Sequence, residues 1–435
     1  MFKEIVHYFR NPYKSVEELK RLQWQKLQLI IHHAYNNVPF YKKRFDRCGL
    51  TPVDIRTVSD MLRIPVLTKE ELRGAGYDIL AKGYNPSKLK KSTTSGSTGQ
   101  PTISYFTPRD WFILKYLLKY RAKRICGFYP VIHKVIIVNS NPEDVVHMEN
   151  SKIINKLLRK RSISINQNIE QHLTVYKRFK PDVLYGPASY LNELKTYLLE
   201  NNIYWLKPKL IFTSGEIHSK QAQKDIESVF GCPCYDIYGS TEFKELAWEC
   251  PHKLGYHINI DAYFVEFING SEHVGENEEG RIVITSLVNR AMPLIRYDPG
   301  DFGMYTDSHC LDDVNFPLMH SINGRSVDYF ELINGRRIAP FTLVVALHDC
   351  VSHAVKQFHI IQKTSDSVVI KIVPNGQYSP IVEENLLKIY NRILGDDVLT
   401  RIEIVKKIER DRSNKYRLVK SEYKQEQQNI TRGYH

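Results

Sequence analysis

A chain of 435 residues exceeds the size at which one hydrophobic core usually stops growing, so at least two domains are expected, the larger with a sizeable core. Hydrophobic residues at 42% and charged residues at 25% exclude a disordered chain, and the absence of a long apolar run excludes a membrane span; a soluble globular protein is expected. The net charge of +13 raises a nucleic-acid partner. No zinc-finger spacing, aromatic RNP pattern or heptad-linked basic region accompanies it, and clusters such as Lys88, Lys90, Lys91 and Arg159, Lys160, Arg161 are short. A solvated face with some affinity for anions is the favoured reading, and no stable nucleic-acid binding is expected.

The first ten residues interrupt their apolar positions with charge and offer no small-residue cleavage site, so no signal peptide is read and a cytoplasmic location is expected. Seven cysteines scattered without a framework of spacings argue against a secreted disulfide scaffold. Most should be reduced thiols.

Taken in chain order, the first clear element is a helix from Ser15. Ser15 and Glu18 have capping-box spacing, Leu19, Leu22, Leu27, Ile30 and Ile31 recur on one face, and the helix ends before Pro39. Farther on, β-branched runs at 134–138, 210–213 and 281–285 alternate with helical stretches such as 190–199. Such alternation predicts an α/β architecture with a largely parallel or mixed sheet, whose ligands sit beyond the carboxyl ends of strands. Near residues 322–328 the pattern resets. Strands at 368–373 and 402–405 and a helix over 383–394 follow, so the expected division is a large domain of residues 1–324 and a small α+β domain of residues 325–435.

The loops carry the chemistry. Thr94-Ser95-Gly96-Ser97-Thr98-Gly99-Gln100-Pro101 combines glycines, which let backbone N–H groups close on an anion, with hydroxyls that add donors at little bulk. A flexible Ser/Gly loop is the bland alternative. The Gly-Lys-Ser/Thr ending of a P-loop is absent, so a P-loop NTPase is excluded. Downstream, Asp236-Ile-Tyr238-Gly239-Ser240-Thr241-Glu242 and Arg296-Tyr297-Asp298-Pro299-Gly300-Asp301 each place a carboxylate on a loop after an apolar stretch. An aromatic such as Tyr238 can stack on a base, Glu242 can hold Mg, and Asp301 can accept hydrogen bonds from a ribose. Singly, each segment also reads as an ordinary turn.

The combination and its order resemble the adenylate-forming superfamily of acyl-CoA synthetases, in the phenylacetate-CoA ligase and CapK-like capsule-biosynthesis branch. The resemblance covers essentially the whole chain, including residues 33–42, residues 64–72 and Gly324-Arg325 leading to Asp328. It implies a large N-terminal domain of mixed sheets and helices with a small mobile α+β C-terminal domain hinged at Asp328. It implies that Ser95, Gly96, Ser97, Thr98 and Gly99 cradle the phosphates of ATP, and that Thr241 and Glu242 complete the phosphate and Mg site. Ser214, Gly215 and Glu216, with Asp236, Tyr238 and Gly239, would wall the adenine, and Asp301 would hold the ribose with Arg325 beside it. The catalytic lysine falls at Lys415, although the glycine that usually precedes it is missing. Gln100 stands where many relatives carry a lysine. Tyr185–Ser189 and Tyr105 would line part of the acid pocket.

The implied reaction makes a carboxylate, an anion without a good leaving group, into an acyl adenylate with release of pyrophosphate. The acyl group then passes to CoA, to a carrier thiol or to an amine. A lysine and a metal arranged around the α-phosphate would stabilise the charge that develops there. Two other readings stay open: a nucleotidyltransferase that leaves AMP on a cofactor hydroxyl or phosphate, and a nucleotide-binding protein without catalysis. A homodimer is compatible with all three.

A second constellation is Cys250-Pro-His252-Lys-Leu-Gly-Tyr-His257 with Cys310 and Asp312. Thiolate and imidazole at this spacing could close a structural Zn site, with Cys250, His257, Cys310 and Asp312 as ligands; unliganded cysteines beneath a loop are the alternative. Cys232 and Cys234 read as buried apolar residues.

Overall fold

The computed structural model describes residues 2–93, 101–139, 152–217, 219–351, 354–410 and 417–423. Ser95, Gly96, Ser97, Thr98 and Gly99, expected to cradle phosphates, and Lys415, expected to be catalytic, lie outside the described residues. The chain divides into two compact units, one formed by Met1–Cys126 with Ile237–Ile322 and the other by Gly127–Asp236 with Asn323–His435.

In the first unit the long helix runs Val16–Asn37, and its start is the expected capping box. Glu18 N–H donates to Ser15 Oγ at 3.2 Å, and Ser15 N–H donates to Glu18 Oε2 at 3.2 Å. Leu19, Leu27, Ile30, Ile31 and Ala34 form its buried stripe, whereas Leu22 is only half-buried. Pro39 does not merely stop the helix; it opens the next one, Pro39–Arg47, because a proline at a first turn loses no hydrogen bond.

Antiparallel pairs dominate this unit's sheet, as in Tyr263–Asn269 against Glu279–Ser286 and Cys234–Ser240 against Lys244–Glu249. Two buried ion pairs sit in it. Arg121 clamps Asp261 through two hydrogen bonds of 2.6 and 2.9 Å, and Arg296 Nε donates to Glu266 Oε2 at 3.0 Å. All four side chains are almost wholly buried, so each charge depends on its partner for solvation.

The second unit holds the parallel part of the α/β pattern. Leu210–Ser214, Val183–Gly186, Val135–Asn139 and Lys160–Ser164 lie side by side in that order, all parallel. Helices Ile169–Phe179, Ala188–Glu200 and Lys220–Phe230 cover them around a core that includes Ile136, Leu184, Leu191, Ile211 and Phe230. The same unit contains a four-stranded mixed sheet, Leu399–Ile404, Ser367–Pro374, Val355–Thr364 and Val419–Ser421, with helices Pro340–Val351 and Pro380–Leu394. A separate core of Leu343, Val344, Ile360, Ile370, Leu386 and Tyr390 fills it. The mixed α/β class expected from the alternation is therefore present, with antiparallel strands concentrated in the first unit.

Cys232 and Cys234 are buried, as expected, and all seven cysteines are free thiols. Among the described residues no helix is long and apolar enough to cross a membrane.

Candidate functional site

In the first unit the site is built on the turn that follows strand Cys234–Ser240. The ladder is irregular between Tyr238 and Gly239, which face Ala247 and Glu245. A Cβ on Gly239 would collide with the backbone carbonyl of Lys244, so only glycine allows the two strands to approach this closely. That approach turns the chain at residues 240–243 and sets Tyr238, Thr241 and Glu242 at one end of the ladder.

Tyr238 is half-buried and donates its phenolic O–H to Asp301 Oδ2 at 2.7 Å. Asp301 is the first residue of strand Asp301–Tyr305 and is buried. Just before it, Asp298 Oδ1 accepts from Gly300 N–H at 2.6 Å, which closes the Pro-Gly turn that delivers Asp301. Burial pushes the Asp298 carboxyl above its ordinary range.

Glu242 is buried, only 5% exposed, and accepts a hydrogen bond from Tyr297 O–H at 3.0 Å. Burial, reinforced by the Glu242 carboxylate, holds the Tyr297 phenol far above its ordinary range, so Tyr297 stays a donor. Among the described residues Glu242 has no ion pair. A buried carboxylate held by one neutral donor is a suitable oxygen ligand for Mg.

Lys244 was not foreseen. Its ammonium donates to the Thr241 carbonyl at 2.7 Å and to Ser92 Oγ, and lies 4.7 Å from the Trp111 ring. Ser92 belongs to strand Lys90–Thr93, paired antiparallel with Ile103–Phe106, and residues 94–102 connect these two strands in the chain. Lys244 therefore ties strand Lys90–Thr93 to Thr241. A lysine at a strand start carries no sequence signal of such a role; Tyr297, by contrast, stands inside the Arg296–Asp301 segment.

The second unit supplies a separate set. Strand Leu210–Ser214 ends at Ser214, whose Oγ lies 2.8 Å from Tyr185 Oη, and Gly215 takes a left-handed φ of +81°. Glu216 accepts from both Ser189 N–H at 2.7 Å and Ser189 Oγ–H at 2.9 Å. Thr213 Oγ1 donates to Asp236 Oδ1 at 2.6 Å, and both residues are buried. Ser214 and Tyr185 thus come together at the carboxyl ends of adjacent parallel strands, where such sheets bind ligands. Arg325 is exposed at the end of strand Leu318–Arg325, and Arg417 Nε donates to Asp328 Oδ1 at 2.9 Å. Tyr105, which belongs to the first unit, is buried; its carbonyl accepts from Asn289 Nδ2 at 2.8 Å.

The cysteine and histidine constellation also assembles, within the first unit. One ligand atom from each of Cys250, His257, Cys310 and Asp312 lies within 4.8 Å of the others. His257 Nδ1 is 3.0 Å from the Phe316 carbonyl, and the buried Nε2 has no hydrogen-bond partner. A backbone acceptor on Nδ1 leaves Nε2 as the lone-pair nitrogen, which is how second-shell carbonyls orient histidine ligands.

In sequence and in fold the chain is similar to known proteins. Residues 333–422 match the family model of the CapK C-terminal domain. Over 349 residues the chain is 27% identical to the phenylacetate-coenzyme A ligase of Escherichia coli (strain K12), covering 76% of each chain. It is 25% identical over 307 residues to Protein CapK of Staphylococcus aureus, covering 68% of this chain and 66% of that one. In fold it is similar to a crystal structure of 2-hydroxyisobutyryl-CoA ligase in the postadenylation state in complex with R3-HIB-AMP. The TM-score there is 0.80 at 19% identity, over 98% of this chain and 94% of the other.

Proposed function

We propose that this chain, by sequence likeness and fold a member of the adenylate-forming superfamily in its phenylacetate-CoA ligase and CapK-like branch, converts a carboxylic acid to an acyl adenylate with ATP and passes the acyl group to CoA. The observation that carries it is the pairing of Tyr238 with Asp301, beside a buried Glu242 that has no ion pair among the described residues. An aromatic face, a ribose acceptor and a metal-binding carboxylate are the groups a nucleotide triphosphate requires, and they lie within one unit.

In this reading Tyr238 stacks on the adenine, with Ser214, Gly215, Glu216, Asp236 and Gly239 as the remaining wall. Asp301 accepts from the ribose hydroxyls, and Arg325 acts beside it. Ser95, Gly96, Ser97, Thr98 and Gly99 close on the phosphates, with Thr241 completing the cradle. Glu242 would hold Mg, whose charge offsets that of the phosphates. Lys415 faces the α-phosphate when the small domain closes. We retain residues 325–435 as that lid, with the hinge at Asp328. The Arg417–Asp328 ion pair supports the assignment by anchoring the segment two residues past Lys415 to the hinge. A carrier thiol or an amine remains the alternative acceptor.

The test is carboxylate-dependent ATP–pyrophosphate exchange across a panel of acids, followed by acceptors. Exchange that appears with one acid and falls at least about a hundredfold in Lys415→Ala is expected. A chain that binds ATP yet supports exchange with no acid would end the ligase reading, and AMP retained on a product would replace it with nucleotidyl transfer.

We further propose that Cys250, His257, Cys310 and Asp312 hold a structural Zn ion. The oriented His257 supports this: a buried ring nitrogen without a partner otherwise costs about 1–3 kcal/mol. Elemental analysis of purified protein should find one equivalent of zinc, and a content near zero would remove the assignment.

A further inference from the structure

The parallel sheet of the second unit has two ends of different chemistry. Its strands all run one way, so Tyr185 and Ser214 lie toward the carboxyl end and every strand start shares the opposite edge. At that edge each strand is led in by a basic residue: Lys134 before Val135, Arg159 before Lys160, Lys180 shortly before Val183, and Lys209 before Leu210. Backbone hydrogen bonds knit these lead-ins into one row. Val135 N–H donates to the Arg159 carbonyl at 3.0 Å, Asp182 N–H to Lys134 at 2.8 Å, and Lys209 N–H to Asp182 at 2.7 Å. Within that row Asp182 is the sole acid, and Lys209 pairs with it at 3.1 Å. The short cluster Arg159, Lys160, Arg161, unremarkable in sequence, is therefore one part of a wider positive edge.

The same edge exposes apolar side chains. Ile132 is 62% exposed and Leu157 66%, and Arg159 Nη1 bonds the Ile132 carbonyl at 2.9 Å, which places the two segments together. Val131 beside Ile132 has φ +71°, a conformation β-branched residues avoid because of the clash at Cβ. Helix Ala188–Glu200 leads back from the carboxyl end to this edge, and the connection into Leu210 presents Tyr204, 62% exposed, and Trp205, 45% exposed.

We propose that this edge docks the protein peripherally on an anionic phospholipid surface. The charges complement acidic headgroups, while Trp and Tyr suit the interfacial layer and Val131, Ile132 and Leu157 can enter the boundary with the acyl chains. Exposed aliphatic side chains have no counterpart on a phosphodiester backbone, so a membrane is favoured over nucleic acid on the same charge. Docking by the strand starts turns the carboxyl ends of the same strands, with Tyr185 and Ser214, away from the lipid. This inference does not depend on the proposed reaction.

The test is co-sedimentation of the full chain with vesicles of phosphatidylcholine alone or mixed with phosphatidylglycerol, at low and high salt. Binding to the mixed vesicles only, weakened by salt, is expected. The pair Arg159→Gln and Lys180→Gln should weaken that binding about twenty-five-fold, roughly fivefold per charge. The pair Ile132→Ser and Trp205→Ser should reduce it at both salt concentrations. All four side chains are exposed, and the one hydrogen bond lost, from Arg159 to the Ile132 carbonyl, lies at the surface, so thermal melting should shift little, which separates lost docking from lost folding. No binding to the anionic vesicles, binding unaffected by either pair, or vesicle-independent binding of duplex DNA that the charge pair abolishes would each overturn the proposal.

Discussion

Tyr238 and Asp301 stand 63 positions apart in the chain and meet in a 2.7 Å hydrogen bond. The contact holds the phenol ring at a fixed angle, because its hydroxyl is committed to a carboxylate that is itself the first residue of a strand. A nucleotide binding there would find the ring already oriented, and it would share Asp301 with the tyrosine. Tyr238→Phe keeps the stacking face and removes the hydrogen bond. Its expected effect is a rise in KM for ATP of about tenfold or more, the loss of one charge-assisted hydrogen bond, with little change in kcat. Steady-state exchange kinetics at varied ATP check this; an unchanged KM would show that the bond does not orient the ring.

Gly239 makes a different kind of claim. The Lys244 carbonyl occupies the space that any Cβ would take, and that obstacle is backbone, not a flexible side chain. Gly239→Ala must therefore push the two strands apart and displace Thr241 and Glu242 with them. We expect a loss of about 1–3 kcal/mol in stability, by the usual range for overpacking, together with a fall in exchange activity larger than that of Tyr238→Phe. Urea denaturation with parallel exchange assays measures both, and wild-type activity in Gly239→Ala would contradict the assigned turn geometry.

His348 links helix Pro340–Val351 to the start of helix Lys220–Phe230 inside the second unit. Ser219 Oγ accepts Ala222 N–H at 3.1 Å and lies 2.6 Å from His348 Nδ1, so the serine hydroxyl donates to a neutral imidazole. Burial, followed by the nearby Lys195 charge, depresses the His348 pKa to about 4. The unfolded chain takes up a proton near pH 6.5 and the folded chain does not until about pH 4, so acid favours unfolding across that window. The stability this contact contributes is complete above about pH 6.5 and falls by up to about 1.4 kcal/mol per pH unit below it. His359, likewise lowered to about 4 by burial, adds a second slope of the same sign. His348→Gln should reduce the loss in stability between about pH 7 and about pH 5, measured as urea midpoints. An identical pH slope in parent and variant would place the titration elsewhere.

The site was legible in the sequence where chemistry is local. The Tyr238–Glu242 turn and the Pro-Gly-Asp turn ending at Asp301 each announce a loop through glycine, proline and carboxylate residues at short spacing. The capping box at Ser15 and the alternation of β-branched runs with helices were readable for the same reason, since both depend on neighbours within a few positions. The residues that hold the site in place were less legible. Lys244 binds Ser92 from 152 positions away, and Tyr297 reaches Glu242 across 55. Arg121 finds Asp261 across 140.

By itself the sequence determined which segments become helices, strands and turns, and which turns carry carboxylates, because those properties follow from backbone propensity and side-chain chemistry at short range. Only the tertiary structure decided which carboxylate each hydroxyl serves, which buried charge finds a partner, and that four basic lead-ins share one edge of a parallel sheet. Those outcomes depend on strand order and register, set when distant apolar faces pack together, and no short stretch of chain encodes them.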